Sequence, residues 1–227
     1  MIIQASGVEK TRGGLTVALE RLSLPTGTLA ALVGPSGCGK STALDLIAAT
    51  LRPDRADRLA VVGQDLAVLW QEDDVGALTA WRAKAIGYVL QTGGLLPALS
   101  VRENIRLSRR LLGMAGPGDE ARIAERLGIA PLLDRYPASL SIGERQRAAI
   151  GRALVHEPAL VLADEPTAAL DPARGAEVMG LLVELTRERG ASLLIVTHDA
   201  DLAERTGLSL IRCQTSPGRT SITAEIS

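Results

Sequence analysis

Phenylalanine is absent from the 227 residues, and only two tryptophans and two tyrosines are present. So few rings argue against a platform on which nucleic-acid bases could stack. Charge of one sign is lacking as well. The formal net charge is −1, so no global field draws the chain to nucleic acid or to an anionic membrane. There are two cysteines, Cys38 and Cys213, far apart and in no metal-ligand spacing. A disulfide framework is therefore not expected, and a reducing compartment fits. No apolar run approaches the ~18–20 residues that span a bilayer. The start, "MIIQASGVEK", has no cationic segment followed by an apolar run, so no signal peptide is expected. Any membrane role is expected to come through a partner.

What is present is aliphatic: hydrophobic residues make up 46% of the chain, so Leu, Val, Ile and Ala must build the core. The length suits one large domain or one domain with a subdomain. "LAALVG" (29–34) reads as a buried strand feeding a loop, and "KSTALDLIAATL" (40–51) as the helix that follows. "LAVVG" (59–63) and "IGYVL" (86–90) read as strands. "ALVLAD" (159–164) and "SLLIVT" (192–197) are continuous apolar runs, as strands buried on both faces of a parallel sheet tend to be. Between them a helix is predicted, entered at Asp171-Pro172 and stopped by Gly190. This alternation predicts an α/β fold. The first forty residues and the tail from about 207 read as antiparallel strands. Residues from about 95 to 140 read as a helical insert, broken at "GPGD" (116–119) and around Pro131.

"GPSGCGKST" comprises Gly34, Pro35, Ser36, Gly37, Cys38, Gly39, Lys40, Ser41 and Thr42. It matches G-x-x-x-x-G-K-[ST] after a strand and at a helix start. The glycines let backbone N–H groups curl around phosphate, and the helix N-terminus adds partial positive charge. Lys40 is expected to neutralise the outer phosphates, and Ser41 to coordinate Mg²⁺. Cys38, beside Lys40 and the helix start, is in a setting that makes thiols reactive, so alkylation there is expected to block the loop. "LVLADEP" (160–166) is an apolar strand ending in two acids. Asp164 is expected to hold Mg²⁺ through water, and Glu165 to be the base for an attacking water. His198, ending the next strand, is expected to touch the terminal phosphate. His156 reads as a surface residue at a helix end.

The ordered set of phosphate loop, Gln91, "LSIGE" (140–144), "LVLADE", "AALD" (168–171) and His198 resembles the nucleotide-binding subunit of an ABC transporter over nearly the whole chain. The resemblance implies a single ABC ATPase domain over 1–227. Its catalytic core with a β subdomain would take about 1–90 and 155–227, and a helical subdomain carrying the signature motif about 95–150. It implies ATP and Mg²⁺ as cofactors, with Gln91 at the hinge near Mg²⁺ or the attacking water. Two subunits, identical or paralogous, would pair head to tail. Ser141, Gly143 and Glu144 of one would then face the nucleotide of the other, with Asp171 crossing the interface. The chain departs from the family at three places. Ile142 and Glu144 alter the usual Leu-Ser-Gly-Gly-Gln, though Arg145 and Arg147 could offset the added acid. Arg12 stands where an aromatic residue often stacks on adenine. Gly93 and Gly94 replace bulkier residues, which would soften the coupling region.

"WRAKAIGYVLQTGGLLPALSVRENI" (81–105) is similar to the subgroup serving lipoprotein release and macrolide export. That likeness implies an exporter or mechanotransmission system driving a separate membrane subunit. The chain would lie at the cytoplasmic face of the inner membrane, with the membrane subunit docked near Leu95, Leu96 and the helical insert, and no nucleic-acid partner. Leu99 and the arginines at 102, 106, 109 and 110 would border that docking surface. An ABC-type ATPase that signals or scaffolds is the alternative. A DNA-repair ATPase needs a long coiled coil between loop and signature, and translation-associated members carry two ATPase domains. Neither pattern is present.

Overall fold

The computed structural model describes residues 1–114 and 119–226. The break expected at "GPGD" thus lies largely outside the described residues. Two sheets enclose a helix. The first sheet contains β1 (Ile3–Arg12), β2 (Leu15–Leu24), β4 (Arg58–Val61), β5 (Gln64–Asp65), β10 (Gln214–Ser216) and β11 (Arg219–Glu225), in the order β10-β11-β2-β1-β4-β5. The second contains β3 (Leu29–Val33), β6 (Ile86–Val89), β7 (Leu160–Asp164), β8 (Ser192–Thr197) and β9 (Ser209–Arg212), in the order β6-β7-β8-β3-β9, and is parallel throughout.

The apolar runs are continuous because alternate residues enter two different cores. Ala30, Leu32, Leu160, Leu162, Leu194 and Val196 face α1 (Lys40–Ile47), which buries Leu44, Leu46 and Ile47 between the two sheets. Ala31, Val33, Val161, Ala163, Leu193 and Ile195 face the opposite way. They meet α6 (Ile142–Leu154) and α7 (Pro172–Glu188), behind which lie α4 (Val101–Leu111) and α5 (Glu120–Arg126). The helical insert therefore shares its hydrophobic core with the parallel sheet.

Two expectations are corrected and one unassigned segment is filled in. The tail is not simply antiparallel. After α8 (Ala200–Arg205) the chain returns to the edge of β3 as the parallel strand β9, and only then turns through β10 into β11. That hairpin reverses direction once, so β11 lands on β2 running the same way. Second, the segment between β5 and β6 forms α2 (Leu66–Gln71) and α3 (Val75–Ala85), capped by Asp65 and Asp74. Its aspartates were legible as helix starts. Third, His156 is only 6% exposed. Its Nε2 lies 3.1 Å from the Ile86 carbonyl, and burial holds the ring below its ordinary pKa.

Candidate active site

Strand order assembles the site. β6, β7, β8 and β3 are consecutive neighbours. Their C-terminal ends bring Gln91, Asp164 and Glu165, His198 and the phosphate loop to one edge of the sheet, where ligands of parallel sheets bind. The crevice there has a volume of about 590 Å³. Ser36, Gly37, Gly39, Lys40, Ser41 and Thr42 line one wall, with Gln91, Glu165 and His198 around the mouth. Gly39 has φ +93°, and a methyl group on it would come within 2.3 Å of Val17 Cγ2, so only glycine lets the loop lie this close to β2.

Lys40 is 4% exposed. Its Nζ donates to the carbonyls of Gly34 and Pro35, each at 2.9 Å, and lies 3.5 Å from Glu165 Oε1. Glu165 sits in the left-handed region at φ +42°, a strained conformation for a side chain that is not glycine. Its N–H donates to the Val196 carbonyl at 2.9 Å, which fixes the carboxylate between the two strand ends. Glu165 Oε2 is 2.7 Å from His198 Nδ1. The expected base and the expected phosphate-sensing histidine thus touch each other directly.

Ser41 Oγ donates to Asp164 Oδ1 at 2.9 Å. Burial raises the Asp164 pKa above the ordinary carboxylate range, and the charges of Asp45 and Glu165 raise it further, against the Ser41 hydrogen bond. A hydroxyl on a crowded acid suits a hard divalent cation. Among the described residues no group of three or more His, Cys, Asp or Glu is arranged to hold a metal by itself. A cation here would complete its shell with water or with oxygens of a ligand.

This geometry is that of a known family. A family model described as ABC transporter matches residues 20–168. The chain belongs to the ABC transporter family. The lipoprotein-releasing system ATP-binding protein LolD of Legionella pneumophila (strain Lens) is 41% identical over 187 residues, which is 81% of this chain and 80% of that protein. The macrolide export ATP-binding/permease protein MacB 1 of Aeromonas hydrophila is 37% identical over 212 residues, which is 90% of this chain and 32% of that longer protein. Among solved structures, the ATP-binding cassette MJ0796 in a dimeric post-hydrolysis state with ADP and Pi superposes with a TM-score of 0.79. It is 32% identical, over 96% of this chain and 95% of that one. The chain is an ATP-binding cassette, and its activity is ATP hydrolysis.

The cassette places the remaining expected residues outside the crevice wall. Ser141, Ile142 and Gly143 open α6, with Ser141 and Ile142 exposed. Glu144 closes a capping box: its Oε2 accepts from the Ser141 N–H at 2.7 Å and from the Ser141 hydroxyl at 2.8 Å. Those bonds hold its carboxylate below the usual range and draw the acid back onto its own helix start. Arg147 and Arg135 supply the nearby positive charge. Arg145 instead donates to the Leu140 carbonyl at 2.5 Å. Asp171 caps α7 through the Arg174 N–H at 3.1 Å. Arg12 is exposed at the end of β1, and the crevice wall on that side is Leu15. Leu15 follows the Gly13-Gly14 turn that brings β2 back, the one sequence sign of its position. Cys38 is 7% exposed, with its sulfur beside Cys213.

Two residues that the sequence does not single out hold the Gln91 loop. Gln146 Nε2 donates to the Gln91 carbonyl at 2.6 Å. Arg152 donates to the carbonyls of Gly93 at 2.9 Å and Gly94 at 2.6 Å. Both glycines have positive φ, and a methyl group on Gly94 would come within 2.6 Å of Leu90 Cδ1. The glycines therefore admit a tight loop that Gln146 and Arg152 clamp. α6 carries the signature residues at its start and this clamp further along.

Proposed function

We propose that the chain is the ATP-hydrolysing subunit of a transport or mechanotransmission complex. It closes head to tail on ATP with a second copy or a paralogous cassette, and it drives a separate membrane subunit from the cytoplasmic face of the inner membrane. The carrying observation is the split between two anion-binding helix starts. One lines the crevice with Lys40, Glu165 and His198, while the start of α6 stands outside it and exposed. A second chain would bring its own Ser141 and Gly143 to this chain's nucleotide. The Asp171 that now caps α7 would come to the same interface. Ser41, Asp164 and Gln91 would hold Mg²⁺, whose chemistry is to neutralise charge on the phosphates. Lys40 binds and orients the phosphates. Glu165 takes the proton of the attacking water, and His198 fixes the carboxylate that does so. Arg12, or Leu15 beside it, would contact adenine.

If each site needs two chains, phosphate release per chain rises with protein concentration over a ~100-fold range before levelling, as mass action requires. A rate per chain that is independent of concentration overturns the shared-site reading.

The membrane subunit would dock near Leu95, Leu96 and the helical insert. Asn104, fully buried, holds this loop rigid. Its Oδ1 accepts from the Leu96 N–H at 2.7 Å, and its Nδ2 donates to the carbonyls of Leu96, Leu99 and Ser100, each at 3.0 Å. Leu95 packs against the core, whereas Leu96 is 44% exposed. Arg102 pairs with Asp134 and Arg106 with Glu120, leaving Arg109 and Arg110 without an ion pair among the described residues. Leu96→Asp is expected to lower stimulation by the membrane subunit ~10-fold, as loss of an apolar anchor does, with the unstimulated rate unchanged. Co-purification and ATPase assays on the reconstituted pair measure both. Full stimulation of the variant places the docking surface elsewhere.

A further inference from the structure

Cys213 lies between β9 and β10, and its N–H donates to the Val33 carbonyl at 2.9 Å, at the foot of the phosphate loop. Gly34 is the next residue. A methyl group placed on Gly34 would lie 3.0 Å from Cys38 Sγ and 3.3 Å from Cys213 Sγ. Both sulfurs therefore crowd the same side of one glycine, and Cys38 is near enough to act on the Cys213 thiol. Both cysteines are free. One thiol belongs to the loop that must receive phosphate, and the other to a strand connection that takes no part in catalysis.

We propose that Cys38 and Cys213 are a reversible redox pair whose disulfide switches off nucleotide binding. The co-reactant is hydrogen peroxide, small enough to reach a thiol that is 7% exposed. Cys38 sulfur attacks one peroxide oxygen, the O–O bond breaks, and one water leaves, giving a sulfenic acid on Cys38. Cys213 sulfur then displaces the hydroxyl group, whose departure as a second water takes up the Cys213 proton. Two thiols and one peroxide become one disulfide and two waters, the sulfurs losing the two electrons that the peroxide gains. Cys213 is suited to the second role. Burial pushes its thiol up to about 12, with Cys38 adding to the effect, so Cys213 is not the sulfur that meets peroxide first. A dithiol reductant reverses the bond by exchange.

The consequence follows from length. A disulfide closes the sulfurs to about 2.05 Å, well inside the contact distance of two thiols. Cys213 is tied to Val33, so the loop yields, and Cys38 is drawn away from the curl in which its neighbours' N–H groups receive phosphate. A ~10-fold loss of ATP affinity is expected, because charge-assisted hydrogen bonds weaken when donors are misaimed. Linkage gives the converse: ATP must disfavour the disulfide by the same factor.

The inference rests on the ATP-binding reading, and the test separates the two. Purified full-length chain is titrated with hydrogen peroxide, then assayed by intact mass, by peptide mapping and by binding of a fluorescent ATP analogue. Expected are loss of two hydrogen atoms, a Cys38–Cys213 cross-linked peptide, ~10-fold weaker binding that dithiothreitol restores, and slower cross-linking in ATP. Cys213→Ala keeps its basal activity, forms no cross-link, and keeps its nucleotide affinity at peroxide levels that disable the parent chain. Failure of the reduced chain to bind the analogue strikes the functional reading alone. A Cys38 sulfinic acid or an intermolecular disulfide without the 38–213 peptide overturns the redox pair. A cross-link that leaves affinity unchanged overturns the switch.

Discussion

Glu165→Gln is expected to cut ATP turnover by at least ~100-fold while leaving nucleotide affinity close to that of the parent chain, the scale of losing a positioned general base. The substitution keeps the shape of the side chain. The backbone that aims it is held by the N–H bond to Val196, which the change does not touch. What it removes is the negative oxygen that can take a proton. It also replaces the carboxylate oxygen 2.7 Å from His198 Nδ1 by a neutral amide. Lys40 keeps its bonds to the Gly34 and Pro35 carbonyls, so the cradle for phosphate stays formed. Binding without turnover has a visible product. The variant accumulates with ATP as a dimer, because the closed state is no longer discharged. Phosphate release and size-exclusion chromatography with and without ATP measure the two halves of the expectation. Turnover within a few fold of the parent chain removes Glu165 from the role of base. Turnover lost with no dimer in ATP removes the head-to-tail arrangement.

The parts of the molecule legible in the sequence are those where chemistry is local. β3, β7 and β8 showed as apolar runs because each is buried on both faces, and the phosphate loop showed because glycine spacing and a following helix are written in one short segment. Asp164, Glu165 and His198 could be placed because they end such strands. What was not legible depends on distant backbone. Gln146 and Arg152 donate to carbonyls of Gln91, Gly93 and Gly94, and a carbonyl has no signature in sequence. The adjacency of Cys38 and Cys213 needs β9 to lie beside β3, a pairing settled by the chain's return through α8. His156 was misread because one turn after a helix can equally end in solvent or, as here, under Ile86. Glu144 was expected to lie near a neighbour's nucleotide, and its second role at the helix start was not seen. The same Ser-x-x-Glu spacing is a capping box, which folds the acid back.

Lys40→Ala is expected to do the opposite of Glu165→Gln, removing binding and with it everything downstream. The Lys40 side chain is 4% exposed, and its ammonium group meets two carbonyls and one carboxylate, so it is an ion held ready inside the loop. Arriving phosphate oxygens compete for the same protons, and a doubly charged terminal phosphate outweighs two neutral carbonyls at similar distance. Alanine withdraws that charge and also leaves the carbonyls of Gly34 and Pro35 with no cation between them, so the loop loses its internal tie. Truncating one partner of a buried charge pair costs about 2–5 kcal/mol, and a loss near 2.7 kcal/mol is already ~100-fold in affinity. The nucleotide-free variant stays folded, since α1 is held between the two sheets by Leu44, Leu46 and Ile47 and not by its first residue. A thermal melt therefore separates the effects. ATP raises the melting temperature of the parent chain and of Glu165→Gln, as any ligand of the folded state must. It leaves that of Lys40→Ala unmoved. Lys40→Arg tests whether charge alone suffices. The guanidinium is longer and planar, and the space between Gly34, Pro35 and Glu165 is shaped to a compact ammonium, so binding is not restored. An ATP-induced shift in Lys40→Ala equal to that of the parent chain would mean that the backbone N–H groups and α1 hold the phosphates unaided.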